Sequence, residues 1–227
     1  GSTGDYSTAM GYETTASGDL STAMGYDTEA NKSYSTSMGN GTKASGVAST
    51  AMGSNTIASG QASIAMGISS IASGDNSTAI GYITTATGIY STAMGGGSLA
   101  SAPTSTAMGY NTIASGNNST AMGGQSTASG NNSTAMGSNT LASGEKSIAM
   151  GESTAATGDY STAMGSNTTA SGDNSTAMGW EATASDYSST VIGQHNSSGS
   201  TATSATYFST LAPAFVIGNG VDASNKS

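Results

Sequence analysis

The sequence predicts an all-β solenoid, a thin parallel β-roll of about fourteen coils with two short strands in each coil. Three observations predict it: a methionine or isoleucine recurs every fourteen residues, a glycine follows it at every step, and a serine stands three residues before it at every step. The ladder runs Met10, Met24, Met38, Met52, Met66, Ile80, Met94, Met108, Met122, Met136, Met150, Met164, Met178 and Ile192, and it holds every methionine of the chain. The glycines run from Gly11 to Gly193 and the serines from Ser7 to Ser189, while a further ladder from Ala16 to Ala184 is alanine at all thirteen steps. Self-similarity at a fixed period marks a stacked-repeat architecture. No insertion breaks the register over more than 180 residues.

Each repeat divides into two strands and two turns. The first strand is Ser119 to Gly123, followed by the variable pair Gly124-Gln125; the second is Ser126 to Gly130, followed by Asn131-Asn132. Strand side chains alternate faces. Ser119, Ala121 and Gly123 therefore share one face, with Thr120 and Met122 opposite; Ser126, Ala128 and Gly130 share another, with Thr127 and Ser129 opposite. The faces that do not vary are the small ones. They can meet only if two sheets approach closer than the usual ~10 Å, so they form the interior of a flattened roll. The turn pairs are rich in Asn, Asp, Gly and Tyr, as tight polar corners require. Fourteen coils stacked at ~4.7–4.9 Å give a length of roughly 65–70 Å.

Residues 1–193 are thus one repeat domain, and residues 194–227 leave the period. Gln194 to Thr206 reads as a polar linker, and Ala214 to Gly220 as one further strand and turn.

Composition narrows the function classes. With four basic residues and a net charge of −9, no basic stripe exists to neutralise phosphates or anionic lipid. No apolar run approaches the ~20 residues needed to cross a bilayer. Neither a nucleic-acid partner nor membrane insertion of this segment is expected. The absence of cysteine removes disulfides and thiolate metal sites. The chain opens at Gly1 without a signal-like segment, and so reads as processed or as a piece of something longer.

The methionine ladder is the main candidate site. Beside it runs a threonine column interrupted by Ile64 and Ile148. An apolar stripe of this length exceeds the few hundred Å² that monomers expose, and fully burying each Met is worth about 1.5–3 kcal/mol. The ladder is therefore expected to be a self-association interface. The other outward face carries Thr15, Glu29, Lys43, Ile57, Leu99 and Ala155 and reads as solvated.

Aromatics gather at the corners. Tyr12, Tyr26, Tyr82, Tyr110 and Trp180 share one turn position; Tyr6, Tyr34, Tyr90 and Tyr160 share another. They are candidate stacking platforms for a glycan or receptor, or else seals over the seams between protomers. The second use accounts for more, because the remaining coils are mostly small or polar at these positions. Asp5, Asp19, Asp75, Asp159 and Asp173 recur at one corner. One carboxylate per corner falls short of the six to eight oxygens of a Ca²⁺ site, so they read as solvated turn residues. His195, the sole histidine, has no evident partner for general-base chemistry. Gly95-Gly96-Gly97 and Gly218-Asn219-Gly220 lack the Lys-Ser/Thr of a phosphate loop. No enzyme, cofactor or metal is expected.

Ser-Thr-Ala-Met-Gly with its Ser-x-Ala-x-Gly second half resembles the head repeats of YadA-like trimeric autotransporter adhesins, whose usual form is Ser-Val-Ala-Ile-Gly. The resemblance covers residues 4 to 193. It implies a left-handed parallel β-roll in a homotrimer, with the larger apolar residues on the threefold axis. It implies also a structural, extracellular adhesin head for surface attachment, joined to the outer membrane through regions outside this chain, with a host-surface protein or glycan as partner. Thr and Met here replace Val and Ile, giving a softer trimer core. Similar repeats occur in phage and virus fibres, so a virion fibre segment is the alternative. A third reading is an ice-binding solenoid. It rests on the ladder Thr8 to Thr190, which lies on the face expected to be buried, while Ile, Leu, Glu and Lys interrupt the other face.

Overall fold

A computed structural model describes residues 1–196, 204–207 and 215–219, and all regular structure among them is β-strand. Strands of five and two residues alternate along the repeat, odd-numbered and even-numbered respectively, starting with β1 (Thr8–Tyr12) and β2 (Thr15–Ala16). The chain divides into two compact units, Gly1–Thr112 and Ile113–Ser227. In the first, the five-residue strands from β1 to β15 (Thr106–Tyr110) pair in parallel, each with its counterpart fourteen residues on. The two-residue strands from β2 to β14 (Leu99–Ala100) form a second parallel ladder. In the second unit the same two ladders run from β17 (Thr120–Gly124) to β27 (Thr190–Gln194), and from β16 (Ile113–Ala114) to β26 (Thr183–Ala184). Each unit is a parallel β-solenoid in strict register, Met122 opposite Met136 and Ala128 opposite Ala142.

The corners set the strand limits. The first strand starts and ends one residue later than alternation predicts, and the second shrinks to two residues, because each variable pair ends on a left-handed residue. Gln125 and Asn132 have φ of 54° and 58°, and Gly41 and Gly97 of 61° and 65°. At one corner the repeat serine closes the turn, as in Ser119 N–H donating to the Gly116 carbonyl at 3.2 Å. A closing bond with positive φ at the third residue is the geometry of a type II turn. Pro103 occupies the second position of one such turn, before Thr104 at φ 54°, where its fixed φ is suited.

Ile83 holds φ at 54° although β-branched. The left-handed region costs an ordinary L-residue roughly 1–2 kcal/mol, and Asn tolerates it better. Asn55, Asn111, Asn139 and Asn167 occupy the same corner position in other coils. Ile83→Asn is therefore expected to stabilise the fold by about 1 kcal/mol, seen as a higher denaturant midpoint.

The interior is built from four columns of small side chains. Beyond the partly buried Ala9, the alanines of both columns are completely buried, with Ala121 and Ala128 at 0% exposure. Between them lie buried Ser and Thr, and no fully buried side chain before Asp186 is larger than Thr. In some coils the repeat serine's hydroxyl turns back to its own corner, as where Ser49, Ser63 and Ser147 donate to the carbonyls of Gly46, Gly60 and Gly144 at 2.7–2.8 Å. In others, such as Ser77, Ser119 and Ser133, the buried hydroxyl has no partner, and the serine is there as a small side chain that fits the thin interior. Ser37, standing in an alanine column, lies 2.7 Å from the Thr42 hydroxyl and donates to its carbonyl at 2.9 Å.

One of the two glycine columns differs from expectation, while Gly130 is buried as alternation predicts. Alternation put Gly123 on the inner face, but it is exposed with φ 106°, and so has left the extended geometry on which alternation depends. What demands glycine is the spacing between coils. A Cβ on Gly130 would lie 1.9 Å from the Gly144 carbonyl oxygen, and one on Gly123 2.0 Å from that of Gly137. Alanine sets how closely the two sheets approach; glycine sets how closely one coil sits on the next.

The last described strand breaks the step. β28 (Phe215–Asn219) pairs in parallel with β27 in the same register, Thr190 opposite Phe215 and Ile192 opposite Ile217, a separation of 25 residues instead of fourteen. Val191 takes the place of the interior alanine and faces Val216 across this rung. Ser204 and Ala205 lie along a corner, accepting hydrogen bonds from the backbone N–H groups of Tyr187 and Asp173, both at 2.8 Å. Residues 197–203 of the expected linker, and Ala214 and Gly220 of the expected strand, lie outside the described residues.

Candidate functional site

The most conspicuous chemical feature of each unit is its outward methionine face. In the five-residue strands the buried alanine alternates with an outward Thr and an outward Met. Strict register stacks the thioethers, Met122 on Met136, Met136 on Met150 and Met150 on Met164. These side chains are half-buried to exposed: Met10 is 59% accessible, Met94 38% and Met108 36%. Ile64 and Ile148, which replace Thr beside the ladder, are exposed too.

The opposite outward face, on the two-residue strands, is mixed. Glu29 and Lys43 on successive coils form an ion pair at 2.8 Å, and Asn31 donates to the same carboxylate at 2.8 Å. The Lys43 hydrogen bond, aided by that of Asn31, holds the Glu29 carboxyl below its ordinary range. Ile57, Ile113 and Leu141 are exposed on this face, Ile57 in register with Ile71 and Leu141 flanked by Thr127 and Ala155.

The corner aromatics do not form one continuous row. Tyr12 and Tyr26 stack, with ring centroids 5.4 Å apart and planes 9° from parallel. Tyr82 and Tyr110 are exposed, with Gly96 standing between them in the column. Trp180 packs against the His195 ring at 4.9 Å.

His195 is better partnered than linear reading suggested. Its Nδ1 lies 2.9 Å from Glu181 Oε2, and the His side chain is almost fully buried. Glu181 stands fourteen residues earlier, one coil away, so the repeat period itself was the signal that identifies it. The pair joins no nucleophile, and no group of three His, Asp or Glu suited to a metal occurs among the described residues. The described residues enclose no pocket.

The corner aspartates serve the backbone. Asp19, Asp75, Asp159 and Asp173 accept from the N–H groups of Asp5, Gln61, Glu145 and Asp159 on the preceding coil, at 2.8–3.0 Å. Asn131 does the same for Asn117 at 3.1 Å. Carboxylates engaged in this way tie coil to coil. Where the next coil offers Tyr187 at that position, the Asp173 N–H turns to the Ala205 carbonyl.

A family model described as the YadA head domain repeat (two copies) matches residues 2–28, 30–56, 58–82, 86–112, 114–140, 142–168 and 170–196. A search of curated proteins gave no match to the chain.

Proposed function

The chain belongs to the YadA head domain repeat family, and from that premise we propose that it is a non-catalytic structural rod: an extracellular adhesin head that assembles as a homotrimer and serves surface attachment. The observation that carries this reading is the outward ladder of Met10, Met24, Met38, Met52, Met66, Ile80, Met94, Met108, Met122, Met136, Met150, Met164, Met178 and Ile192, uncovered to a third or more of its area at Met10, Met94 and Met108. Complete burial of an exposed Met is worth about 1.5–3 kcal/mol. The other rungs, already mostly buried in the single chain, gain at most about a third of that. Repeated along the ladder, this still gives a strong drive for copies to meet, and a closed ring of three with the ladder on the axis covers it completely. The mixed face of Glu29 and Lys43 then remains in water. Tyr82, Tyr110 and Trp180 flank the proposed seams, and the stacked Tyr12–Tyr26 pair offers a flat apolar contact for a host-surface protein or glycan.

The test is the mass in solution. The parent is expected to scatter as a trimer at micromolar concentration, and a monomer there overturns the reading. Met122→Asp places three carboxylates around one axis, each stripped of water without a counter-charge. It is expected to abolish or sharply weaken the trimer. Thr127→Asp, on the mixed face, should leave mass and melting temperature as in the parent. Equal behaviour of the two variants would mean that the faces are reversed.

A further inference from the structure

A repetitive interface poses a question that the ladder alone does not answer. Five successive rungs of the second unit, from Met122 to Met178, present the same Met in the same register. If copies associate through this face, sliding one copy by a single coil of ~4.8 Å exchanges Met for Met. Register is weakly specified wherever neighbouring positions are equivalent. Something outside the repeat must fix it.

We propose that β28 is the register key of the assembly, an inference that rests on the trimeric reading above. β28 continues the same sheet, and its outward positions fall on the two columns of the association face: Phe215 in line with Thr190 and Ile217 in line with Ile192. Both are exposed in the single chain, Phe215 at 58% and Ile217 at 71%. The Thr column holds Thr or Ile in every coil, and Phe215 is the only aromatic in line with it among the described residues. In register, the copies bring their Phe215 and Ile217 rungs to one level, where they cover one another. A slip of one coil sets Phe215 against Thr190 of its neighbours and leaves one such rung in water. Ile64, Ile148, Ile80 and Ile192 also depart from the repeat, but by a few methyl and methylene groups rather than a ring. The occupant of the Phe215 surface is therefore the same rung of the other copies.

The chain has no cysteine, so single-cysteine variants report register directly. Full chains carrying Met150→Cys and Met178→Cys are co-assembled and oxidised, and the cross-linked peptides identified by mass spectrometry. The two positions are two coils, ~9.6 Å, apart, and a disulfide does not bridge Cα atoms more than ~7 Å apart. The parent background is expected to give same-position links only. Phe215→Thr combined with Ile217→Met turns β28 into a copy of the repeat, using residues the sheet already accepts. In that background the trimer should persist, and mixed 150–178 links should rise to the level of same-position links. A trimer that keeps same-position links alone overturns the proposal, as does a double variant that no longer associates, since β28 would then drive assembly instead of aligning it. A monomeric parent overturns the trimeric reading itself, and is recognised by mass before any cross-linking.

Discussion

Gly137→Ala is expected to unfold the coils around it, while Gly124→Ala melts like the parent. Both glycines lie in five-residue strands one coil apart, and both substitutions add a single methyl group. Gly137 holds φ at 130°, and a Cβ there would lie 1.9 Å from the Gly151 carbonyl oxygen. That conformation is nearly closed to L-residues, which alone costs about 1–3 kcal/mol. The collision is with backbone, so relief requires β19 (Thr134–Ser138) to separate from β21 (Ile148–Glu152), breaking ladder hydrogen bonds between them. Gly124 has nothing within 4 Å of its Cβ position and no positive φ, and Ser138 carries a side chain at the paired position of the next coil. Circular dichroism melting of the two variants makes the comparison. Equal midpoints would show that coil spacing does not depend on glycine.

Ala128→Leu is the second large effect. Ala128 is wholly buried in β18 (Thr127–Ala128), between Ala114 and Ala142 on the neighbouring coils. Leu adds three carbons to an interior in which no coil before Asp186 fully buries anything larger than Thr. Overpacking costs about 1–3 kcal/mol per site, and a homotrimer suffers it three times in one layer. The flanking coils share the same sheets, so strain spreads instead of being absorbed by a loop. Thr127→Leu places the same final side chain one residue away on the outward face, where Leu141 stands directly alongside in register. It should leave the melting temperature within the scatter of the parent. If Ala128→Leu does likewise, the interior is wider than two alanine columns.

Much of this architecture could be read from the chain, because stacking converts a sequence period into a spatial neighbourhood. The buried Ala121 and Ala128, the outward Thr120 and Met122, and the parallel order of coils all follow from a fourteen-residue step and strand alternation. Sequence and structure part where the chain leaves the extended conformation. Counting places Gly123 inward, but φ near 106° turns it outward, and no alternation rule carries across such a residue. The left-handed residue in each variable pair, Gln125 or Asn132, also trimmed the strands in a way that composition did not show. Glu181 is a partner of His195 down the stack and not along the chain, so the residues next to His195 in sequence do not reveal it. That Phe215 sits opposite Thr190 could not be counted at all, since the step to β28 is not the repeat.

The parallel pairing of successive coils has a mechanical consequence. Every backbone hydrogen bond between one coil and the next is directed along the stacking axis of its unit, so tension applied along that axis loads the rungs in series, not side by side. Every rung then carries the full load, and the outermost coil, held by a neighbour on one side only, yields first, so the unit peels. Each event frees fourteen residues, which reach about 48 Å at full extension against the ~4.8 Å they spanned when stacked. Stretching a single chain should therefore give evenly spaced force peaks about 43 Å apart; a single rupture of a whole unit would contradict it. A tether built in this way lengthens tenfold under load before it lets go, dissipating energy at each step and re-forming from the same short local contacts when the load is released.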